Sequence, residues 1–370
     1  GGGDPALGSD YFTGHYSDFI NKWVSETRKA GIREISGNII ADDSRYDYEP
    51  VPSKWLWEDI GNYYGAGAYG LSVFDNTYEI HLKTGGTGTF PQITGIVPGE
   101  VSVELTNRLR AEGDSDNGYV YAAPHSDKGW ISGTVPVNRN DFVLRASIPD
   151  PPLLLARILR NRLDSAGISV TGKPSTSRIE NMTPGNTEII SRIISPPLDS
   201  IIIILNHESV NLYAEHLARE LGRVYLNNGS TMSGTGIILK FLEDAGIPVE
   251  GVFIEDGSGL SPFNAINARA LASLLCYMKN KSTCFDEFFS SLPEAGKAGT
   301  LARYFKDPVF VSRLRAKSGS LTRVRCYAGY IRTISGRDLS FSVMIKDYSG
   351  PSRRIISGIE DILKETILHK

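Results

Sequence analysis

At 370 residues the chain exceeds the size at which one hydrophobic core usually stops growing, so two or three domains are expected. A hydrophobic fraction of 41% with 22% charged residues is ordinary globular composition, and a formal net charge of −3 leaves no basic footprint for nucleic acid. The longest aliphatic run, Ile201 to Leu205, falls far short of the about 20 apolar residues that cross a bilayer, so no transmembrane segment is expected, and no signal peptide is visible.

Gly1-Gly2-Gly3-Asp4-Pro5 reads as a turn, Tyr16 to Ala30 as an amphipathic helix closed by Gly31, and Ile32 to Ala41 as a strand. The stretch from Trp55 to Gly70 mixes aromatics, acids and glycines and predicts a loop-rich surface. From Ser72 to about Val137 short alternating segments (Tyr78 to Lys83, Val101 to Leu105, Gly118 to Ala122, Gly129 to Val137) predict a small all-β insertion. Asp141 to Ala146 is a further strand, and Pro152, suited to a first turn, opens a helix running to Ala166. Helices are then expected at Ser209 to Gly222, Met232 to Ala245, Ala265 to Asn280 and Ser352 to His369. Strands at Leu321 to Thr333 and Leu339 to Lys346 are joined by a Gly-containing hairpin. Helices on an antiparallel sheet make the second half an α+β domain. Cys276, Cys284 and Cys326 show no metal spacing and are expected as buried free thiols.

Three short motifs carry the chemistry. Ser-x-Asn occurs at Ser36, Ser115 and Ser209, and Lys-[Ser/Thr]-Gly at Lys83 and Lys317, so each triplet alone is weak. Context chooses between them. Ser209-Val210-Asn211 directly precedes the amphipathic run Leu212 to Leu221, and Lys317-Ser318-Gly319 opens a strand, whereas Ser36 sits mid-strand, Ser115 in a polar stretch and Lys83 before a Gly-rich turn. Asp256-Gly257-Ser258-Gly259-Leu260-Ser261 lies between the chosen pair. Ser209 and Asn211 also suit a helix N-cap, and Lys317 a solvated strand end. His207-Glu208 lacks the second ligand of a His-Glu-x-x-His zinc site because position 211 is Asn, and Gly85-Gly86-Thr87-Gly88 lacks the Lys-Ser/Thr of a phosphate loop. Neither a cofactor nor a metal is expected.

The trio resembles the active-site motifs of penicillin-binding D-Ala-D-Ala peptidases, and the likeness covers nearly the whole chain. Gly2-Gly3-Asp4-Pro5, Trp55-Leu56-Trp57-Glu58-Asp59, Ile148-Pro149-Asp150-Pro151, Asn211 to Glu215, Asp256 to Ser261, Gly299-Thr300-Leu301 and Ala328-Gly329-Tyr330 all look like class C low-molecular-mass penicillin-binding proteins. These are the carboxypeptidase/endopeptidases of the S13 peptidase family. The resemblance implies an α+β, transpeptidase/β-lactamase-like catalytic domain interrupted by two inserted domains. Residues 1–68 with 139–196 would form the first insertion (α/β), 69–138 the second (mostly β), and 197–370 the returning catalytic part.

The same resemblance implies the roles of individual residues. Ser209 would relay a proton to the leaving amine, Asn211 hold the substrate backbone, and Lys317 face the terminal carboxylate with Ser318 beside it. Gly319 would let the strand approach the ligand, and the Ser320 amide would be one oxyanion donor. Trp55, Glu58, Asp59 and Tyr63, with Leu321 and Thr322 opposite, would wall the stem-peptide subsite. Relatives often carry Arg where this chain has Pro262.

No Ser-x-x-Lys, the family's nucleophile motif, occurs in the chain. The expectation is therefore a truncated record whose nucleophile lies upstream of Gly1, inactive by itself. The alternative is a catalytically dead homologue that binds muropeptides or cell-wall partner proteins. Peptidoglycan stem peptides and β-lactams are the implied ligands and the periplasm or cell exterior the implied location, with a homo-oligomer left open.

Overall fold

The computed structural model describes residues 1–12, 18–181, 185 and 187–369. By contact the chain divides into two units. The first holds residues 1–196, 211–234 and 256–262, and the second 197–210, 235–255 and 263–370.

In the first unit, α1 (Phe19–Lys29) is followed by short strands β1 (Glu34–Ile35) and β2 (Ile39–Ala41). The expected helix start at Tyr16 lies outside the described residues. The expected single strand from Ile32 to Ala41 is broken in two at Ser36-Gly37. β1 pairs in parallel with β9 (Ser169–Val170) and β2 with β10 (Pro174–Thr176). The helix α3 (Pro151–Ser165) starts where the Asp150 carboxylate accepts the Leu153 N–H at 3.0 Å, with two prolines in its first turn. Its apolar residues Leu155 and Leu163 fill cores shared with Phe19, Val73, Ile168 and Val170. A short helix α4 (Ser177–Glu180) is capped by Thr176.

Between these elements runs a β-rich segment of two three-stranded sheets. One is ordered β4-β3-β8, from β3 (Thr77–Lys83), β4 (Gln92–Val97) and β8 (Phe142–Ser147). The other is ordered β5-β7-β6, from β5 (Glu104–Ala111), β6 (Asn117–Ala122) and β7 (Lys128–Val135). β3 and β8 are antiparallel, with Thr77 opposite Ser147. Alternation along each strand turns Tyr78, Ile80, Leu82, Leu109, Val120, Ile131 and Leu144 into one core. The expected strand at Val101 to Leu105 begins three residues later, and β4 has no counterpart among the expected elements. The stretch after Trp55 is only partly surface. α2 (Trp57–Ile60) is a single exposed turn, but Ala66, Ala68 and Tyr69 are buried.

Helix α6 (Asn211–Leu226) completes this unit through its polar side chains. Arg219 is buried, donating to Asp47 Oδ1 at 2.6 Å, to the Gly229 carbonyl at 3.1 Å and to the Glu49 carbonyl. His216 lies 2.8 Å from Ser72 Oγ and 2.9 Å from the Gly3 carbonyl, and the Tyr213 hydroxyl donates to Asp75 at 3.0 Å. Gly222 lets the first turn of α7 (Thr231–Asp244) come close, since a Cβ there would stand 2.9 Å from the Gly234 nitrogen.

In the second unit, β11 (Leu314–Leu321), β12 (Val324–Arg332) and β13 (Asp338–Lys346) form an antiparallel sheet in sequence order. The expected strand from Leu321 to Thr333 is β12, beginning at Val324 after a turn at Thr322-Arg323, where Arg323 adopts φ +59°, and β11 before that turn is a further strand that holds Lys317. α10 (Ser352–Leu368) buries Ile356, Ile359, Leu363 and Ile367 at helical spacing, and the last three pack with Phe305, Phe310, Leu314, Tyr327 and Ile331. α8 (Ala268–Lys281), capped by Asn267, and α9 (Phe285–Ser291) bring Leu275, Phe285, Phe288 and Phe289 around Tyr330. α5 (Leu198–Ile204) leads into a π-turn at Leu205–Ser209. All three cysteines are free, as expected, but Cys276 and Cys284 are exposed rather than buried.

Candidate active site

The second unit places Ser209 and Lys317 together. Ser209 ends the π-turn at φ +57°, a left-handed conformation that a non-glycine residue holds only at a cost of about 1–3 kcal/mol. Val210 is extended, so the expected helix from Ser209 starts at Asn211 instead and Ser209 stands free of it. Lys317 lies in the middle of β11, not at a strand start. Its ammonium donates to Ser209 Oγ and to the Ser318 carbonyl, both at 2.7 Å. Burial lowers its pKa to about 8, so a substantial neutral fraction exists at mildly alkaline pH.

The Ser318 hydroxyl donates to Thr300 Oγ1 at 2.8 Å. Thr300 is held by a turn that needs glycine. Gly299 has φ +51°, and a Cβ there would lie 2.7 Å from the His207 carbonyl oxygen. Burial lowers the pKa of His207, and its Nε2 has no hydrogen-bond partner among the described residues. A Cβ on Gly319 would meet only the Cys326 Cβ, at 3.6 Å, so no packing contact inside the protein demands glycine there. Ser320 and Thr322 are exposed and Leu321 is 37% exposed.

The first unit holds the other named residues. The Asn211 amide opens α6 and donates to the Tyr64 carbonyl at 2.8 Å. Trp55, with Asn211 in the same unit, is only 6% exposed, and its indole N–H donates to Asp256 Oδ2 at 2.8 Å. Asp256 also accepts the Gly259 and Ser261 amides at 2.7 and 2.6 Å, and Ser261 Oγ donates to the Lys54 carbonyl at 2.9 Å. The Asp-Gly-Ser-Gly motif is thus a loop wound around its own carboxylate. Gly257 allows it to lie against α6, where a Cβ would approach the Ala214 carbonyl to 2.5 Å. Glu215, one helical turn beyond Asn211, accepts the Ser258 amide at 2.8 Å. Glu58 is exposed, Asp59 is half-buried with its pKa raised by burial, and Tyr63 is 50% exposed.

Thr300 and Glu215 entered the sequence reading only as members of the stretches Gly299-Thr300-Leu301 and Asn211 to Glu215, with no role of their own, and the Tyr64 carbonyl did not enter it, since none of the three stands in the chemical triplets. Among the described residues no group of three or more His, Cys, Asp or Glu side chains is placed to hold a metal, and no helix is long and apolar enough to cross a membrane. Chemically, a lysine that deprotonates near pH 8 beside a serine hydroxyl can pass a proton through that hydroxyl or, when charged, hold a carboxylate.

The model of the D-Ala-D-Ala carboxypeptidase 3 (S13) family matches residues 1–365. The chain belongs to that family. Among S13 relatives, the D-alanyl-D-alanine carboxypeptidase of Actinomadura sp. (strain R39) is 25% identical over 365 residues, covering 95% of this chain and 66% of the relative. The D-alanyl-D-alanine carboxypeptidase DacB of Haemophilus influenzae is 23% identical, covering 88% of this chain and 68% of the relative. The chain thus spans about two thirds of their length. Penicillin binding protein 4 (dacB) from Haemophilus influenzae superposes with a TM-score of 0.83 at 21% identity, over 100% of this chain and 81% of that one. The fold of this S13 member is therefore α+β and of the penicillin-recognising type.

Proposed function

We propose that the chain serves a serine-type D-Ala-D-Ala carboxypeptidase/endopeptidase acting on peptidoglycan stem peptides through an acyl-enzyme. The observation that carries this reading is the 2.7 Å contact between Lys317 Nζ and Ser209 Oγ in an S13 chain. Lys317 binds the terminal carboxylate of the substrate, and the Ser209 hydroxyl, held in its left-handed turn, relays a proton to the leaving amine. Ser318, fixed by Thr300, lies beside the same carboxylate, and Asn211 orients the substrate backbone. The Ser320 amide serves as an oxyanion donor, and Trp55, Glu58, Asp59 and Tyr63, together with Leu321 and Thr322, are assigned to the stem peptide by family resemblance. β-lactams are ligands in this reading, supported by a Haemophilus influenzae relative solved in complex with a novel β-lactam.

Residues 1–68 with 139–196 are read as one insertion, 69–138 as a second, and 197–370 as the returning catalytic part. The location is extracytoplasmic. Because no Ser-x-x-Lys occurs, the chain as it stands is proposed to release no D-alanine. That same absence favours the second reading, an inert muropeptide-binding homologue.

Binding of an acylated peptide ending in D-Ala-D-Ala tests the site. Lys317→Ala should weaken it roughly 10- to 100-fold, the value of a hydrogen bond to a charged group, and equal affinity would remove Lys317 from its role. Intact mass after benzylpenicillin treatment tests the chemistry. No adduct is expected, and an adduct mapped to Ser209 would make that residue a nucleophile rather than a relay.

A further inference from the structure

The β5-β7-β6 sheet has an inner face in the core and an outer face whose composition is unusual for solvent. Its outward positions include Tyr119 and Tyr121 on β6, Trp130 and Ser132 on β7 and Arg108 on β5. Tyr121 and Trp130 are cross-strand neighbours, stacked at 5.1 Å and 9° between planes. The Arg108 guanidinium covers Trp130 at 5.6 Å, and Trp57 of α2 lies 6.1 Å from the same ring.

A ladder of this kind stabilises a small sheet, and that accounts for Tyr121 and Trp130. It leaves two rings unexplained. Trp57 is 47% exposed and Tyr119 39%, although water disfavours each. Arg108 adds a second observation. Its guanidinium is held on the Trp130 face at 5.6 Å and has no hydrogen-bond or ion-pair partner among the described residues, an arrangement that suits a carboxylate.

Exposed rings bordered by hydroxyls and the Arg108 guanidinium match an acidic saccharide. The C–H faces of pyranose rings pack on aromatic surfaces, their hydroxyls find Ser132 and its neighbours, and carboxylates find arginine. We propose that this face binds peptidoglycan glycan strands from which the stem peptides have been removed, an amino-sugar polymer whose lactyl carboxylates are then free, with Trp57 and Tyr119 as the stacking residues and Arg108 as the carboxylate partner. The choice of polymer rests on the peptidase reading above.

The test titrates the chain with soluble glycan strands stripped of their stem peptides, following tryptophan fluorescence, alongside co-sedimentation with insoluble peptidoglycan. Stripped strands should bind the wild type. The double variant Trp57→Ala/Tyr119→Ala should bind at least tenfold more weakly, and so should Ser132→Glu, which removes no packed group and sets a negative charge beside the ladder. Arg108→Ala should bind less tightly, with a shallower salt dependence. No binding by the wild type, or unchanged binding by both Trp57→Ala/Tyr119→Ala and Ser132→Glu, overturns the proposal. Lys317→Ala separates the two readings. Glycan binding that persists while D-Ala-D-Ala peptides fail to distinguish Lys317→Ala from wild type sinks the peptidase reading alone, and the reverse pattern sinks this one.

Discussion

Raising the pH should weaken the first unit through one fully buried carboxyl group, Glu215, whose share a single variant isolates. Glu215 is fully buried, its Oε2 has no hydrogen-bond partner among the described residues, and burial followed by the negative charge of Asp256 raises its pKa from 4.5 to about 7. The unfolded chain loses this proton near pH 4.5 and the folded chain near 7, so between those values the folded state binds more protons. Stability contributed by the neutral carboxyl is therefore complete at low pH, falls as pH rises through the interval, and is gone above about 7. The gap between 4.5 and about 7, at about 1.4 kcal/mol per unit, amounts to about 3 kcal/mol.

Glu215→Gln keeps the shape and removes the titration. Any cost of its unsatisfied amide applies at every pH and cancels in a comparison of slopes. All four tryptophans, Trp23, Trp55, Trp57 and Trp130, lie in this unit, so urea unfolding followed by tryptophan fluorescence reports on it. Between pH 5 and pH 8 the wild type should lose about 2–3 kcal/mol more than the variant. Losses that agree within about 0.5 kcal/mol would refute the argument.

Three other outcomes are expected. In competitive acetylation across a pH series, Lys317 should reach half-maximal reactivity near pH 8 while exposed lysines are still gaining reactivity, and a midpoint above pH 9.5 would contradict its burial. Gly299→Ala should destabilise the second unit by roughly 1–3 kcal/mol, from its positive φ and the clash with His207, read as a lowered calorimetric transition. Trp55→Phe should cost the first unit about 1.5–3 kcal/mol by stripping a donor from the Asp256 carboxylate, and an unchanged urea midpoint would show that this hydrogen bond contributes nothing.

Helix ends and strand faces were readable where local chemistry marks them. Asp150 with two prolines announces α3, and the helical spacing of Ile356, Ile359, Leu363 and Ile367 announces α10. The β11/β12 turn was hidden because Leu321-Thr322-Arg323-Val324 contains no Gly, Pro or Asn, and Arg323 adopts the left-handed conformation itself. In the candidate site, context singled out Ser209 and Lys317, and these two residues touch. What sequence cannot carry is partnership at long range. Trp55 and Trp57 look alike on paper, yet one is buried against Asp256, 201 positions away, and the other is open to water. Glu215 reads as a helix residue until Ser258 and Asp256 are found beside it.

The pairing of β3 with β8 bears on how such a chain can be assembled. Thr77 and Ser147 face each other across that ladder, so the backbone departs into the β-rich segment and returns at points about 5 Å apart. A gene could gain or shed everything between them at one loop, and a tight turn would reclose the host. Moving the segment to a foreign scaffold would require two adjacent attachment points and a substitute for the Asn62 side-chain carbonyl, which takes the Val120 N–H at 3.0 Å.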